Sequence, residues 1–137
     1  MPDAPKTRSL VLILAKDLAS RLATPTLVVD ENGMLVYFNE AAESVFGTTY
    51  ADSGLQGYED LAKTFQPQDD AGNRIALKEL PITVAVLERR PAHGTLSIEA
   101  NDGVTRHLAA TAFPLFAHKD ELVGAISIFW ERLDGEA

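Results

Sequence analysis

The stretch from Asp30 to Gly47, DENGMLVYFNEAAESVFG, leaves the chain little freedom in how it folds locally. Asn32-Gly33 separates TLVVD from MLVYF, two short runs rich in β-formers. The pair can supply the positive φ angles of a two-residue hairpin turn, so the spacing predicts a tight β-hairpin. Asn39 follows the second run and can cap a helix by accepting from its free amides. Ala41, Ala42, Val45 and Phe46 then fall on one helical stripe, and Gly47 can close the helix in the left-handed region.

What surrounds this unit is bounded by composition. The chain has 137 residues, 46% of them hydrophobic, which suits one domain with its own core. Cysteine is absent, which rules out disulfides, thiolate nucleophiles and cysteine metal sites. The formal charge is -8, and the cationic residues are scattered singly apart from Arg89-Arg90. That pattern repels a phosphate backbone, so no direct nucleic-acid partner is expected.

Leu10 to Ala15 is an apolar run preceded by Lys6 and Arg8, but it is too short for a signal-peptide core or a membrane span. On a helix, Leu10, Ile13, Leu14, Asp17, Leu18, Arg21 and Leu22 form one stripe, while Val11, Leu12 and Ala15 carry apolar surface beyond it. Such a helix needs two partners: its own domain and, as one of two alternatives, its copy in a dimer. The other alternative is a helix that only lies on its own domain.

Pro25 ends that helix and the hairpin follows. TTYADSGLQGYED is polar, with Leu55, Leu61 and Phe65 as anchors of short helices, and QPQDDAGNR reads as a surface loop. The pattern predicts a helix from Lys78 to Arg89 with Pro81 in its first turn. Ile82, Ala85 and Val86 would face the sheet, and Leu80, Val84 and Leu87 lie nearly opposite, to be covered by the preceding loop or, as the alternative, by a ligand or partner. Three strands complete the chain. GTLSIEA turns at Asp102-Gly103 into VTRHLAATAFPLF, and HKDE turns that strand into LVGAISIFWER. In the last strand Val123, Ala125, Ser127 and Phe129 oppose Gly124, Ile126, Ile128 and Trp130, so it should lie centrally with cover on both faces.

Little in the chain suggests catalysis. His93, His107 and His118 are isolated and make no metal-ligand set, so no metal is expected. Asp30-Glu31 and Asp69-Asp70 sit in turn or loop sequence, where solvated carboxylates are ordinary. The chain contains no glycine-rich phosphate loop, no HExxH and no GxSxG.

Two strands, several helices and three strands give an α+β architecture, a five-stranded antiparallel sheet with helices on one face and an N-terminal flanking helix. From about Leu18 to Glu131 the sequence resembles the PAS domain family, as found in bacterial sensor proteins. DENGMLVYFNEAAESVFG is similar to the family's opening hairpin and first helix, including the Asn39 position. DDAGNRIALKELPITVAVLERRPAHG resembles its loop and long connecting helix, and DGVTRHLAATAFPLF with ELVGAISIFWE its last strands. The resemblance implies a flanking helix over 1–22, a PAS domain over 23–133 and a tail over 134–137. It also implies a sensory or interaction module whose sheet and helices can enclose a small ligand, commonly in cytoplasmic signalling proteins and commonly dimerising through an N-terminal helix. The short Leu10 to Ala15 run leaves no membrane partner expected. Members that bind flavin covalently or carry a cinnamoyl chromophore need a cysteine, which is vacant here. Haem is not expected either, because no histidine lies between Lys78 and Arg90, although His93 follows closely. Glu131, Arg132 and Leu133 stand where the family often has Asp-Ile-Thr leading to an output domain. The expected partner is therefore a signalling protein or an output domain outside this sequence.

Three functions follow as expectations: a ligand-sensing module, an interaction module with a filled core, and, distantly, a small enzyme on this scaffold. A ligand would lie between the sheet and the Lys78–Arg89 helix, bounded by Phe46, Phe65, Ile82, Val86, Leu96, Ile98 and Leu108, with Asn39 or Arg106 to orient it. A homodimer would use Leu10, Ile13, Leu14, Leu18, Ile126, Ile128 and Trp130.

Overall fold

In the computed structural model, which describes residues 3–132 with side chains from Leu10 onward, the Asp30–Gly47 stretch is a hairpin followed by a capped helix. Leu133 and the tail expected at 134–137 lie outside the described residues. The chain runs α1 (Asp3–Arg21), β1 (Thr26–Asp30), β2 (Leu35–Phe38), α2 (Glu40–Phe46), α3 (Tyr50–Ser53), α4 (Tyr58–Phe65) and α5 (Pro81–Glu88), then β3 (Ala92–Glu99), β4 (Thr105–Phe116) and β5 (Leu122–Glu131). The strands form one antiparallel sheet in the order β2-β1-β5-β4-β3. β5 is central, as its two apolar faces require.

The first hairpin turn differs from the two-residue form expected at Asn32-Gly33. The Asp30 amide donates to the Met34 carbonyl (2.9 Å) and the Gly33 amide to the Asp30 carbonyl (3.0 Å), which makes a three-residue loop. Only Gly33 takes a positive φ, 78°. The Asp30 carboxylate explains the choice, since it accepts from the amides of Asn32 (2.9 Å) and Met34 (3.0 Å) and stabilises the longer loop locally. The Lys78–Arg89 helix also divides. Leu77–Glu79 is a 3-10 turn, and the α-helix begins at Pro81, whose missing amide costs nothing at that position.

Asn39 ties three elements together. Its Oδ1 accepts from the amides of Ala42 and Thr26, both at 3.0 Å, capping α2 and fixing the start of β1. Its Nδ2 donates to the carbonyls of Ala19 (3.0 Å), Leu22 (3.3 Å) and Thr24 (2.9 Å), which satisfies the end of α1.

The sheet separates two apolar layers. On the inner face, Leu27, Val29, Ala110, Ala112, Ala125 and Phe129 pack with Phe46, Phe65, Ile82, Ala85 and Val86 of the helices. On the outer face α1 lies over Val28 and Ile126 through Ala15 and Ala19. Small side chains let the helix come close, and Leu12 reaches Gly124 on β5. A Cβ at Gly124 would strike the Val29 carbonyl oxygen and lie 3.1 Å from Leu12 Cδ2. Gly124→Ala is therefore expected to cost about 3 kcal/mol in urea unfolding. A loss below about 0.5 kcal/mol would mean that the helix and strands separate easily.

Candidate functional site

The inner layer is not completely filled. Phe46 stacks on Phe65 at 4.8 Å between centroids and meets Phe129 at 5.3 Å, which closes the core on the α2 side. Beside these rings a partly open apolar pocket of about 80 Å³ remains. Its floor is the inner sheet face, from Leu27 on β1, Leu96 and Ile98 on β3, Leu108 and Ala110 on β4, and Ser127 and Phe129 on β5. Its roof is Phe46 of α2, Leu61, Ala62 and Phe65 of α4, then Pro67, Leu80, and Pro81 and Ile82 of α5.

A loop holds the roof in place. Gln68 exchanges backbone hydrogen bonds with Ser97 in both directions (2.9 and 2.8 Å), which stitches the segment after α4 to the free edge of β3. Asp69 Oδ1 accepts from the amides of Ala71 and Asn73, and Asp70 pairs with Arg132 at 2.9 Å. Pro67 is thereby set into the cavity wall.

Among the pocket candidates, Phe46, Phe65, Ile82, Leu96, Ile98 and Leu108 line this space. Val86 is buried in the same core but does not line the cavity. The two polar candidates lie elsewhere. Asn39 commits its amide to the end of α1, the start of β1 and the cap of α2, so it has no group left to orient a ligand. Arg106 is drawn to carboxylates outside the cavity, with Asp102 at 3.0 Å and Glu131 at 3.3 Å. Hydrogen bonds from the Arg106 guanidinium and then the Val104 amide hold the Asp102 carboxyl below the usual carboxylate range. A depressed carboxyl stabilises the fold above its unfolded pKa, and that contribution is lost as pH falls through the lower folded value. Arg106→Gln should raise the Asp102 pKa in a carbon-detected NMR titration, and an unchanged pKa would contradict the pairing.

Leu27, Leu61, Ala62, Pro67, Leu80, Ala110, Ser127 and Phe129 line the space as well, beyond the candidates expected from the pattern. The alternation of β5 did place Ser127 and Phe129 on one face, which was the available signal.

A second hollow of about 180 Å³ lies where the first hairpin turn meets α4, lined by Asn32, Gly33, Met34, Gln56, Gly57, Tyr58, Glu59 and Asp60. Tyr58 there has its pKa raised by burial, then by Glu59 and Asp30. Ser97 Oγ and His107 Nδ1 lie 2.6 Å apart on the exposed outer side of β3 and β4, away from both hollows. Among the described residues no group of three or more histidines and carboxylates could hold a metal ion, and no helix is long and apolar enough to cross a membrane.

The outer face divides the dimer candidates. Leu10, Ile13, Leu14 and Leu18 are each more than half exposed, because α1 turns its alanines rather than its large stripe to the sheet. Ile126 is buried beneath α1, so it is not available to a second copy as expected. Its fixed neighbour explains this, since Ala15 and Ala19 settle on Ile126 and Val28. Ile128 is half-buried and Trp130 is 40% exposed, with the His93 ring 6.1 Å from the indole. Phe113, in register with Ile126, is exposed as well. Apolar sheet surface thus continues past the part that α1 covers.

A family model described as PAS domain matches residues 23–131. Among solved structures, the chain is similar to the PAS domain of BvgS from Bordetella pertussis, at 20% identity over 90% of this chain and 87% of that one, with a TM-score of 0.59. It is similar to the Rhodobacter sphaeroides LOV protein, at 14% identity over 93% and 68% of the two chains, with a TM-score of 0.69. The PAS domain of the fruit-fly ELK potassium channel is 11% identical over 88% and 95%, with a TM-score of 0.69. No curated protein matches the chain. At these identities the structural likeness establishes the fold.

Proposed function

This chain belongs to the PAS domain family, and we propose that it is a sensory module of signal transduction that takes a small ligand into the cavity between the sheet and helices α4 and α5. The observation that carries this reading is the cavity itself, an apolar space of about 80 Å³ walled by every strand except β2. An interaction module with a filled core has no need of such a space. The wall contains no carboxylate, imidazole or amine to move a proton, which favours a regulatory over a catalytic role.

Size limits the occupant. Pockets for drug-sized ligands span roughly 300–1,000 Å³, well above this one. The purified protein is accordingly expected to be colourless, carrying neither haem nor flavin. A visible absorption band that copurifies with the chain would contradict this. The proposal is tested by a thermal-shift screen of haem, flavins, fatty acids, small carboxylates and small neutral compounds. A ligand of the folded state at about 100 times its Kd stabilises it by about 2.7 kcal/mol. Small compounds should raise the melting temperature while the bulky cofactors leave it unchanged. No response to any small compound would favour the filled-core alternative.

A second reading accompanies the first because α1 presents its large apolar stripe outward. The module pairs with a second copy through that stripe and the exposed sheet surface around Phe113 and Trp130, which one two-fold axis can bury together. Cytoplasmic signalling, through a partner protein or an output domain, is the setting this reading assigns.

A further inference from the structure

Ser127 is the one polar side chain in the wall of the cavity. It sits near the middle of the central strand, 4% exposed, between Leu27 of β1 and Ala112 of β4 in the ladder. Neither neighbouring side chain can hydrogen-bond. The Ser127 residue borders the open space, where every other lining side chain is apolar. A hydroxyl set in an otherwise apolar wall favours a ligand group that hydrogen-bonds to it there. No charged side chain borders the cavity, so a charged ligand would lose its hydration without compensation. The space is also about half the roughly 150 Å³ of an apolar cavity known to accept benzene.

From these observations we infer that the ligand is a compact neutral molecule, mostly apolar, with a single hydroxyl or carbonyl that hydrogen-bonds to Ser127. The inference rests on the ligand-binding reading and specifies its chemistry. Ser127 serves as the anchor that orients the ligand, and the leucine, isoleucine and phenylalanine walls supply the remaining contact.

The test uses three probes in NMR titrations of the full chain: 1-butanol, butyrate and dissolved xenon. Xenon measures whether the apolar space is accessible at all, independent of any hydrogen bond. The expected result is that xenon and 1-butanol shift the amides around the cavity and butyrate does not. Ser127→Ala should weaken 1-butanol about tenfold, the effect of one well-placed hydrogen bond, and leave xenon within about twofold. The alanine matches neighbours already present on this face, and xenon binding to the variant reports that its cavity is intact. If xenon binds but 1-butanol is insensitive to Ser127→Ala, or butyrate binds as well as 1-butanol, the inference is overturned while the ligand-binding reading stands. If neither xenon nor 1-butanol enters, the ligand-binding reading falls and the inference with it.

Discussion

Asn39→Ala is expected to remove about 3–5 kcal/mol of stability, a large part of what a domain of this size possesses. Asn39 is 1% exposed, so water cannot replace what the side chain supplies. Its loss would strand the amides of Thr26 and Ala42 and deprive the carbonyls of Ala19 and Thr24 of a donor. Each buried group left unsatisfied costs about 1–3 kcal/mol, and loss of a helix cap about 1 kcal/mol. Asn39→Asp should fail for a different reason, because it keeps the acceptor but turns a carboxylate towards three carbonyls. Protonation would restore a donor, so this variant should recover part of its stability as pH falls below neutrality. Urea denaturation followed by circular dichroism measures both. A loss under about 1 kcal/mol for the alanine variant would show that the three elements hold together without this side chain.

Replacing Leu14 or Ile13 with glutamate is expected to weaken self-association at least 100-fold while leaving the monomer folded. These residues are 58% and 61% exposed, so the charge is solvated in the monomer and buried only if a second copy covers α1. Deleting residues 1–22 is the less informative experiment. Ala19 is fully buried, and the Ala19 and Leu22 carbonyls accept from Asn39, so truncation would damage the core along with the interface. Sedimentation velocity at micromolar concentration distinguishes the outcomes. A dimer for the unaltered chain and monomers for both variants are expected. A chain that is monomeric before and after substitution would reduce α1 to a lid on the sheet.

Legibility followed the range of each interaction. The strands could be read because alternation is a local property, and β5 announced its central position by being apolar on both faces. The first turn was misjudged by one residue because Asp30 reaches forward with its side chain, which a dipeptide signal such as Asn-Gly does not register. α1 shows a deeper limit. Its strongest stripe, Leu10, Ile13, Leu14 and Leu18, is the one left outside, because close approach to a sheet rewards alanine over leucine. Periodicity finds a stripe without saying which stripe faces inward. The site was partly legible for the same reason. Phe46, Phe65, Leu96 and Ile98 follow from apolar patterning, whereas the true uses of Asn39 and Arg106 depend on partners that the fold brings to them. For Asn39 those partners reach back to Ala19, and for Arg106 they include Glu131.

In the proposed function, the space between the sheet and helices α4 and α5 is a receptacle for a small molecule. Xenon enters dry apolar cavities and scatters X-rays strongly enough to be located without assumption about its site. Crystals of the full chain pressurised with xenon should show a peak enclosed by Phe46, Phe65, Leu96, Ile98 and Leu108, close to Ser127. An empty difference map with those side chains closed upon one another would contradict the account and leave a PAS domain whose core is full.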